Sequence, residues 1–486
     1  GGGGGGRNLD FRLHPNFIKS TSLVTGFLML LLTNNFASAA GTPCSITPVL
    51  TEADLNTCIA EAPTDNSEFT ITLGASFSVS TIKNIPAGTN ITIDSNITGG
   101  ITVSLQTGNT ARHFNVQGGG QLTLASGVTL QGNGGGSGVA GGGVYITSGG
   151  TFIMNGGIID NVRRPTTENP GGVNANGTFI MNSGTISNCT GVAGGGVAVY
   201  TDGVFTMNGG TISGNTASSG GAGIYIGNSS TFTMTGGLVS GNVSTTDGGG
   251  VRISSGTTFN MSGGTISGNT ASSAGGGGVV IGNYGTLTMT GGTISGNTAT
   301  GGGGIAVYSN STFTMSDGQI NSNSSIGGGG GIYIAPTGTS VIITGGQIIN
   351  NIAASLGGGI YTSNYNNLAV GANASFSGNS AATYARMNPA DQALYDAQIA
   401  ATSFSLPLPF NGYNNYDIRY ESDLPTDICQ HNASLWADDA NCVATPNTGL
   451  FGSQTSSLAT STLSLIASAI AIAAIWAHHK LTAKRR

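Results

Sequence analysis

Charged and nucleophilic side chains are rare enough in this sequence to be weighed one by one. Between residues 121 and 380 the charged ones are Asp160, Arg163, Arg164, Glu168, Asp202, Asp247, Arg252 and Asp317, and no lysine occurs between Lys83 and Lys480. Glycoside hydrolysis needs two carboxyl groups several ångströms apart across the scissile bond. A lyase needs a cationic base, usually beside calcium held by clustered acids. Neither set assembles here, because the acids fall at unrelated positions of a repeat: Asp160 follows its recurring isoleucine, Asp317 precedes its own by three, and Asp202 and Asp247 lie in turns. Glu168 shares one irregular stretch with Arg163-Arg164-Pro165, which reads as a solvated excursion. Cys189 has no histidine within the repeats to activate it and reads as a buried free thiol. Glycine runs such as Gly275–Gly278 lack the Lys-Ser/Thr of a phosphate loop. Catalytic residues, cofactors and metal ligands are therefore not expected. What remains is recognition: Tyr145, Tyr225, Arg252, Tyr333 and Tyr361 recur at the middle of a glycine-led segment, with Ala198, Val280 and Ala306 between them. Outward tyrosines stack on sugars or anchor a partner; a solvated face of good strand formers is the plainer alternative.

The elements that must position these residues repeat. Gly209-Gly-Thr-Ile-Ser-Gly-Asn-Thr-Ala217 returns almost unchanged at 263–271 and 291–299. Its isoleucine heads a column of Leu130, Ile159, Ile186, Ile212, Val239, Ile266, Ile294, Ile320, Ile348 and Phe376, stepping 26 to 29 residues. Three residues on runs a second column, Asn133, Val162, Cys189, Asn215, Asn242, Asn269, Asn297, Asn323, Asn351 and Asn379. A fixed period of this length marks a solenoid. Upstream sits a segment with Phe and Met at i and i+2, as in Phe232/Met234. Downstream the glycines open another, as in Ile224/Ile226. Spacing of two is the period of a strand with one buried face. Three strands per unit predict a triangular coil, an all-β fold, and coils of about 27 residues stacked as a right-handed parallel β-helix. The asparagines are expected to bond inward-facing backbone groups and the next coil, as in stacked carboxamide ladders.

Elements such as Ile212-Ser-Gly-Asn215 before Gly220-Gly-Ala-Gly-Ile224, and Phe376-Ser-Gly-Asn379, resemble the repeats of polymorphic outer-membrane and adhesin-like β-helix proteins over roughly residues 120–380. The resemblance implies the fold; β-helices host adhesins, lyases and hydrolases alike. The T-x-T pairs Thr231/Thr233, Thr286/Thr288 and Thr312/Thr314 resemble the ice-binding face of β-solenoid antifreeze proteins, but Ile153, Ile180, Val204 and Asn260 interrupt that column.

Both ends carry addressing signals. Residues 1–39 comprise a Gly1–Gly6 tract of no assigned element, then Arg7, Arg12 and Lys19, the apolar run Leu23–Leu32 and Ala37-Ser-Ala39, the order of a secretory signal peptide. Residues 40–68 form an N-terminal cap, where Thr51-Glu-Ala-Asp54 opens a short helix burying Leu55, Cys58 and Ile59. The solenoid occupies 69–382. Residues 383–444 make a C-terminal cap and stalk, with a helix opened by Asn388-Pro389-Ala-Asp391. Cys44 with Cys58, and Cys429 with Cys442, each close a loop of about 15 residues, worth about 3 kcal/mol as a disulfide outside the cytoplasm. Residues 445–486 hold Thr445-Pro446-Asn447-Thr448-Gly449, an apolar run Leu458–Ala477 long enough to span a bilayer, and basic Lys480, Lys484, Arg485 and Arg486. That order resembles a Gram-positive-type sortase signal, with Thr445 where the family has Leu. It implies a sortase-like transpeptidase acting between Thr448 and Gly449 and attachment to the cell wall; a plain transmembrane anchor is the alternative.

Charged residues make up 7% of the 486 residues and the formal charge is −6, so nucleic acid is not an expected partner. The expected function is a secreted, surface-anchored, non-catalytic β-helix of adhesin type that binds cells, surfaces or glycans. A polysaccharide-acting enzyme and a passive spacer are the competing classes.

Overall fold

The computed structural model of the chain describes residues 42–133, 142–164, 170–227, 229–273, 275–364, 367–381 and 418–420. Among them the fold is all-β apart from one short helix, and the strands stack coil upon coil into three parallel sheets of 19, 12 and 9 strands. Like residues lie above one another across successive coils: Phe205 pairs with Phe232, Ile212 with Val239, and Ile224 with Val251.

Each coil has three sides, but they are not the three that the periodicity suggests. The Phe/Met segment and the isoleucine segment belong to the same sheet, the 19-stranded one. In places they fuse into a single ten-residue strand, as in Thr151–Asp160, Thr286–Ser295 and Thr312–Asn321. The glycine pair between them shifts register without turning the chain. Gly237 shows why glycine is needed there: its φ is +88°, and a Cβ would lie 2.6 Å from Met207 Cε in the coil below. The third side is a two-residue strand just after the asparagine, such as Thr216–Ala217. The corner before it is turned by a left-handed residue, Gly214 at φ 63° or Asn188 at φ 55°.

Inside, Phe152, Phe179, Phe205, Phe232 and Phe259 stack with ring centroids 4.5 to 5.3 Å apart. Beside them runs the asparagine ladder. Asn242 Nδ2 donates to Asn269 Oδ1 at 2.9 Å and to Val239's counterpart one coil lower, Ile212 O, at 3.0 Å; its backbone N–H also reaches Asn269 Oδ1. The same three bonds recur from Asn215 to Asn351. Each carboxamide thus satisfies buried backbone that water cannot reach.

At the N-terminal end the helix Glu52–Glu61 carries the capping box between Thr51 and Asp54 and buries Leu55, Cys58 and Ile59. Cys44 and Cys58 are bonded. Cys58 lies within the helix, so the bond pins the helix to the segment before it. Lys83, almost fully buried, pairs with Glu52. Thr42–Pro43 already pairs with Phe69–Thr70, so sheet formation begins inside the expected cap. Within the expected C-terminal cap and stalk, Ile418–Tyr420 adds a twelfth strand beside Ile360–Thr362 and buries Ile418. The signal peptide, the 388–399 helix, Cys429, Cys442, the Thr445–Gly449 motif and the Leu458–Ala477 span lie outside the described residues. No helix among those described is long and apolar enough to cross a membrane.

Candidate functional site

The glycine-led strands put one residue per coil on the outer face of the 12-stranded sheet. Parallel pairing sets these in one column: Tyr145, Asn174, Ala198, Tyr225, Arg252, Val280, Ala306, Tyr333 and Tyr361. The candidate residues Tyr145, Tyr225, Arg252, Tyr333 and Tyr361 therefore share a face, as their spacing suggested. They are half-buried rather than open, and Ala198, Val280 and Ala306 between them are fully buried. The cause is the glycine-rich loop that precedes each strand and folds back over it. A Cβ on Gly194 would lie 2.7 Å from Ala198 Cβ, and one on Gly275 would lie 3.2 Å from Val280 Cγ2.

Two tyrosines that periodicity did not single out complete this face. Tyr200 and Tyr308 stand two residues after Ala198 and Ala306, hence on the same side of the strand. Tyr200 and Tyr225 meet with ring centroids 5.4 Å apart, as do Tyr333 and Tyr361. Arg252 Nη1 donates to Asp247 of the overlying loop and to Ser219 O at 3.4 Å, while its Nε has no acceptor. Burial, with Asp247 and Tyr333 nearby, pushes the Tyr308 phenol up to about 12, so it stays a neutral donor. The face combines aromatic rings, neutral hydroxyls and one ion pair, the groups that bind polyhydroxyl ligands.

The remaining chemistry-bearing residues are placed as follows. Asp160 accepts from Gln131, Ser187 and Asn188. Asp317 accepts from the Gly318 N–H, and Asp202 lies exposed in a left-handed turn. Among the described residues no three of His, Cys, Asp and Glu stand close enough to hold a metal ion. Cys189 is free and fully buried at the foot of the ladder, where its N–H donates to Asn215 Oδ1. Burial pushes its thiol up to about 12.

A second cluster escaped the periodic reading altogether. Arg112 and His113 occupy the corner that later coils fill with two glycines. Arg112 is buried and donates to the carbonyls of Val144, Gly171 and Pro170 at 3.1 to 3.4 Å; burial and Arg164 lower it to about 9. His113 accepts from the Gly143 N–H through Nδ1 at 2.9 Å, while its buried Nε2 has no partner. Burial first, and Arg112 second to it among the charges, hold its pKa down to about 4 against the opposing pull of the Val103 and Gln131 carbonyls. Arg-His before an F-x-V strand, where most later coils have Gly-Gly, was the available signal.

Residues 195–381 match the family described as right handed beta helix region. The coil stack is a right-handed parallel β-helix. No curated protein and no solved structure matches the chain. The matched part of the β-helix coincides with the coils that carry the asparagine ladder, from the Gly195–Gly196 corner to the short strand Ser380–Ala381.

Proposed function

We propose that this protein is an exported, surface-displayed, non-catalytic β-helix of adhesin type that binds glycans on cells or other surfaces. The observation that carries the reading is the outer column of the 12-stranded sheet. There Tyr225, Arg252 with Asp247, Tyr308 and Tyr333 lie within a few coils of one another on a rigid face. Rings ordered by their neighbours lose little freedom on binding. Export is supported by the signal peptide in the sequence and by the Cys44–Cys58 bond, which favours an oxidising compartment. Display follows from the C-terminal apolar run, with wall attachment by a sortase-like transpeptidase as the stronger form and a membrane anchor as the simpler one.

The test is a glycan array and a cell-binding assay with the full chain, Tyr333→Ala and Arg252→Ala. Each substitution should weaken binding about tenfold, roughly 1.4 kcal/mol, with the melting temperature unchanged. Silence of the full chain on both assays would leave a passive spacer.

A further inference from the structure

The 19-stranded sheet presents a different outer face, and its regularity is of another kind. The column through Ser213 is serine in five successive coils, from Ser187 to Ser295. Alongside it, the column through Thr211 is threonine in the same coils, with Leu238 as the one exception. A third column, through Thr206 and Thr233, reaches Thr314 with Asn260 as its polar interruption. No strand of this sheet from Thr178–Ser187 to Thr286–Ser295 carries a charged residue. Parallel pairing repeats each column at about 4.8 Å, and residues along a strand on this face repeat at about 6.6 Å. The result is a two-dimensional lattice of hydroxyls, not a stripe.

This lattice is ordered before anything binds it. Its threonines are half-buried between their neighbours and stiff at χ1. Between the Thr206 and Thr211 columns, exposed side chains already bond from coil to coil. Asn182 donates to Asn155 at 2.8 Å, Asn208 to Asn182 at 2.9 Å, and Thr235 to Asn208 at 2.9 Å. A fixed array of this kind recognises an occupant that holds its own groups at fixed spacing. Each threonine offers a hydroxyl and a methyl side by side, and Val204 and Leu238 add apolar patches among them. The matching chemistry is uncharged, with hydroxyls set on a C–H framework, and it is periodic.

We propose that this face docks the β-helix on an ordered, insoluble, neutral polysaccharide. The inference rests on the non-catalytic binding reading above but uses a separate face, so the two fail separately. A flexible soluble oligosaccharide loses its own freedom on binding and gains fewer simultaneous contacts. Ice is the weaker match, because it offers no C–H groups to meet the threonine methyls, Val204 and Leu238.

The experiment is retention of the full chain on microcrystalline cellulose and on crystalline chitin, with soluble cello-oligosaccharide as competitor. The full chain should be retained on at least one polymer and resist the competitor. Thr233→Lys with Thr288→Lys should lower the partition at least tenfold, and so should Ser240→Lys alone, which guards against misfolding of the double variant. Thr216→Lys with Thr270→Lys, on the short sheet, should leave retention unchanged. Failure of retention on both polymers overturns the proposal, as does equal loss in the short-sheet variant. It is also overturned if the lattice variants abolish only inhibition of ice growth or only a dimer of this chain. Glycan-array binding lost in Arg252→Ala while polymer retention is absent would sink this inference and spare the preceding one.

Discussion

The coils from about residue 195 onward and those before it share one backbone path, but they solve the same problem differently. The problem is the inward-facing corner after the isoleucine, where backbone groups are sealed from water. In the later coils one asparagine per turn answers it, each satisfying the coils above and below. In the earlier coils Val162 and Cys189 stand in the same column, and Arg112 and His113 fill the next corner, where later coils have glycines. Among the described residues, Asn133 Oδ1 and His113 Nε2 are left there without partners, and no carboxylate bonds the guanidinium buried among carbonyls. A repeated solution is consistent with itself by construction, whereas a solution assembled from single residues leaves orphans at its seams. Local opening should therefore start in the earlier coils.

Deleting whole coils should separate the two regions most sharply. Removing Gly237–Gly263 brings Asn215 against Asn269 and keeps every column in register, so a folded protein one coil shorter is expected. Removing 144–172 keeps strand register equally well, since Val144 pairs with Val173. It also takes away all three carbonyls that hold Arg112, which reach across two coils. That variant should fail to fold, or melt far below the first, by circular dichroism. Equal behaviour of the two deletions would mean that the earlier coils are as modular as the later ones.

Single substitutions should show the same contrast on a smaller scale. Asn269→Ala orphans the Asn242 N–H and Val239 O and removes one bond from Asn242 Nδ2, all buried. At about 1–3 kcal/mol per orphan, a loss of about 4 kcal/mol is expected. Gly250 has no Cβ because one would lie 3.0 Å from Asn269 Nδ2, so Gly250→Ala should disturb the same rung. Asn133→Ala removes two bonds to carbonyls at a half-buried site and should cost about 1 kcal/mol. Denaturant melts of the three variants decide the point, and a cost for Asn133→Ala as large as for Asn269→Ala would dissolve the distinction.

What the sequence revealed divides along the same line. The Ile and Asn columns, the Phe/Met strand and the shared face of Tyr145, Tyr225, Arg252, Tyr333 and Tyr361 were legible because register repeats them. Three things were not. That the Phe/Met and isoleucine segments share a sheet depends on whether Gly236-Gly237 turns the chain or only shifts it, and both readings have the same period. That the tyrosine face is half-covered depends on loops folding back, and loops carry no periodic signal. Arg112 and His113 occur once, and a single departure in a repeat tells where something differs without telling what it contacts.

Acid should weaken the earlier coils first. His113 titrates near 6.5 when unfolded but is held to about 4 in the fold, by burial first. The fold therefore favours the neutral imidazole. This stabilisation is fully present above about pH 6.5 and is lost as pH falls towards 4, in all about 3 kcal/mol. Glu52 works in a lower window. Burial opposes its ionisation, but Lys83 and hydrogen bonds from Ser80 and Thr81 outweigh this and hold it at about 2, so its contribution fades only below about pH 4.5. Hydrogen exchange at pH 7 and pH 4.5 should show faster opening around residues 101–147 with little change around 251–281. His113→Gln should flatten that difference. An acid response spread evenly over both regions would argue against His113 as its source.

The smallest expected effect tests whether one region's solution can be carried into the other. Cys189 stands one coil below Asn215, in the ladder column, and its N–H already donates to Asn215 Oδ1 at 2.9 Å. Its thiol reaches only Ser187 O at 3.1 Å and, weakly, Ile159 O at 4.0 Å. Ile159 O is the carbonyl that the ladder pattern assigns to an asparagine at this position, since Asn215 Nδ2 binds Ile186 O one coil higher. Space is available for the carboxamide. Gly172 packs against Cys189 as Gly196 packs against Asn215, so no Cβ stands in the way. Cys189→Asn should therefore add one rung, with Nδ2 shared between Asn215 Oδ1 and Ile159 O, and raise stability by about 1 kcal/mol. In a protein of this size that amounts to a rise in melting temperature of roughly 1–2 °C. Cys189→Ser, which matches the thiol in size but extends no ladder, should leave the protein unchanged or slightly weaker. A loss of stability in Cys189→Asn comparable to that in Cys189→Ser would show that the ladder depends on the later coils' own backbone, and that the earlier coils are built to a different corner rather than to an incomplete copy of the same one.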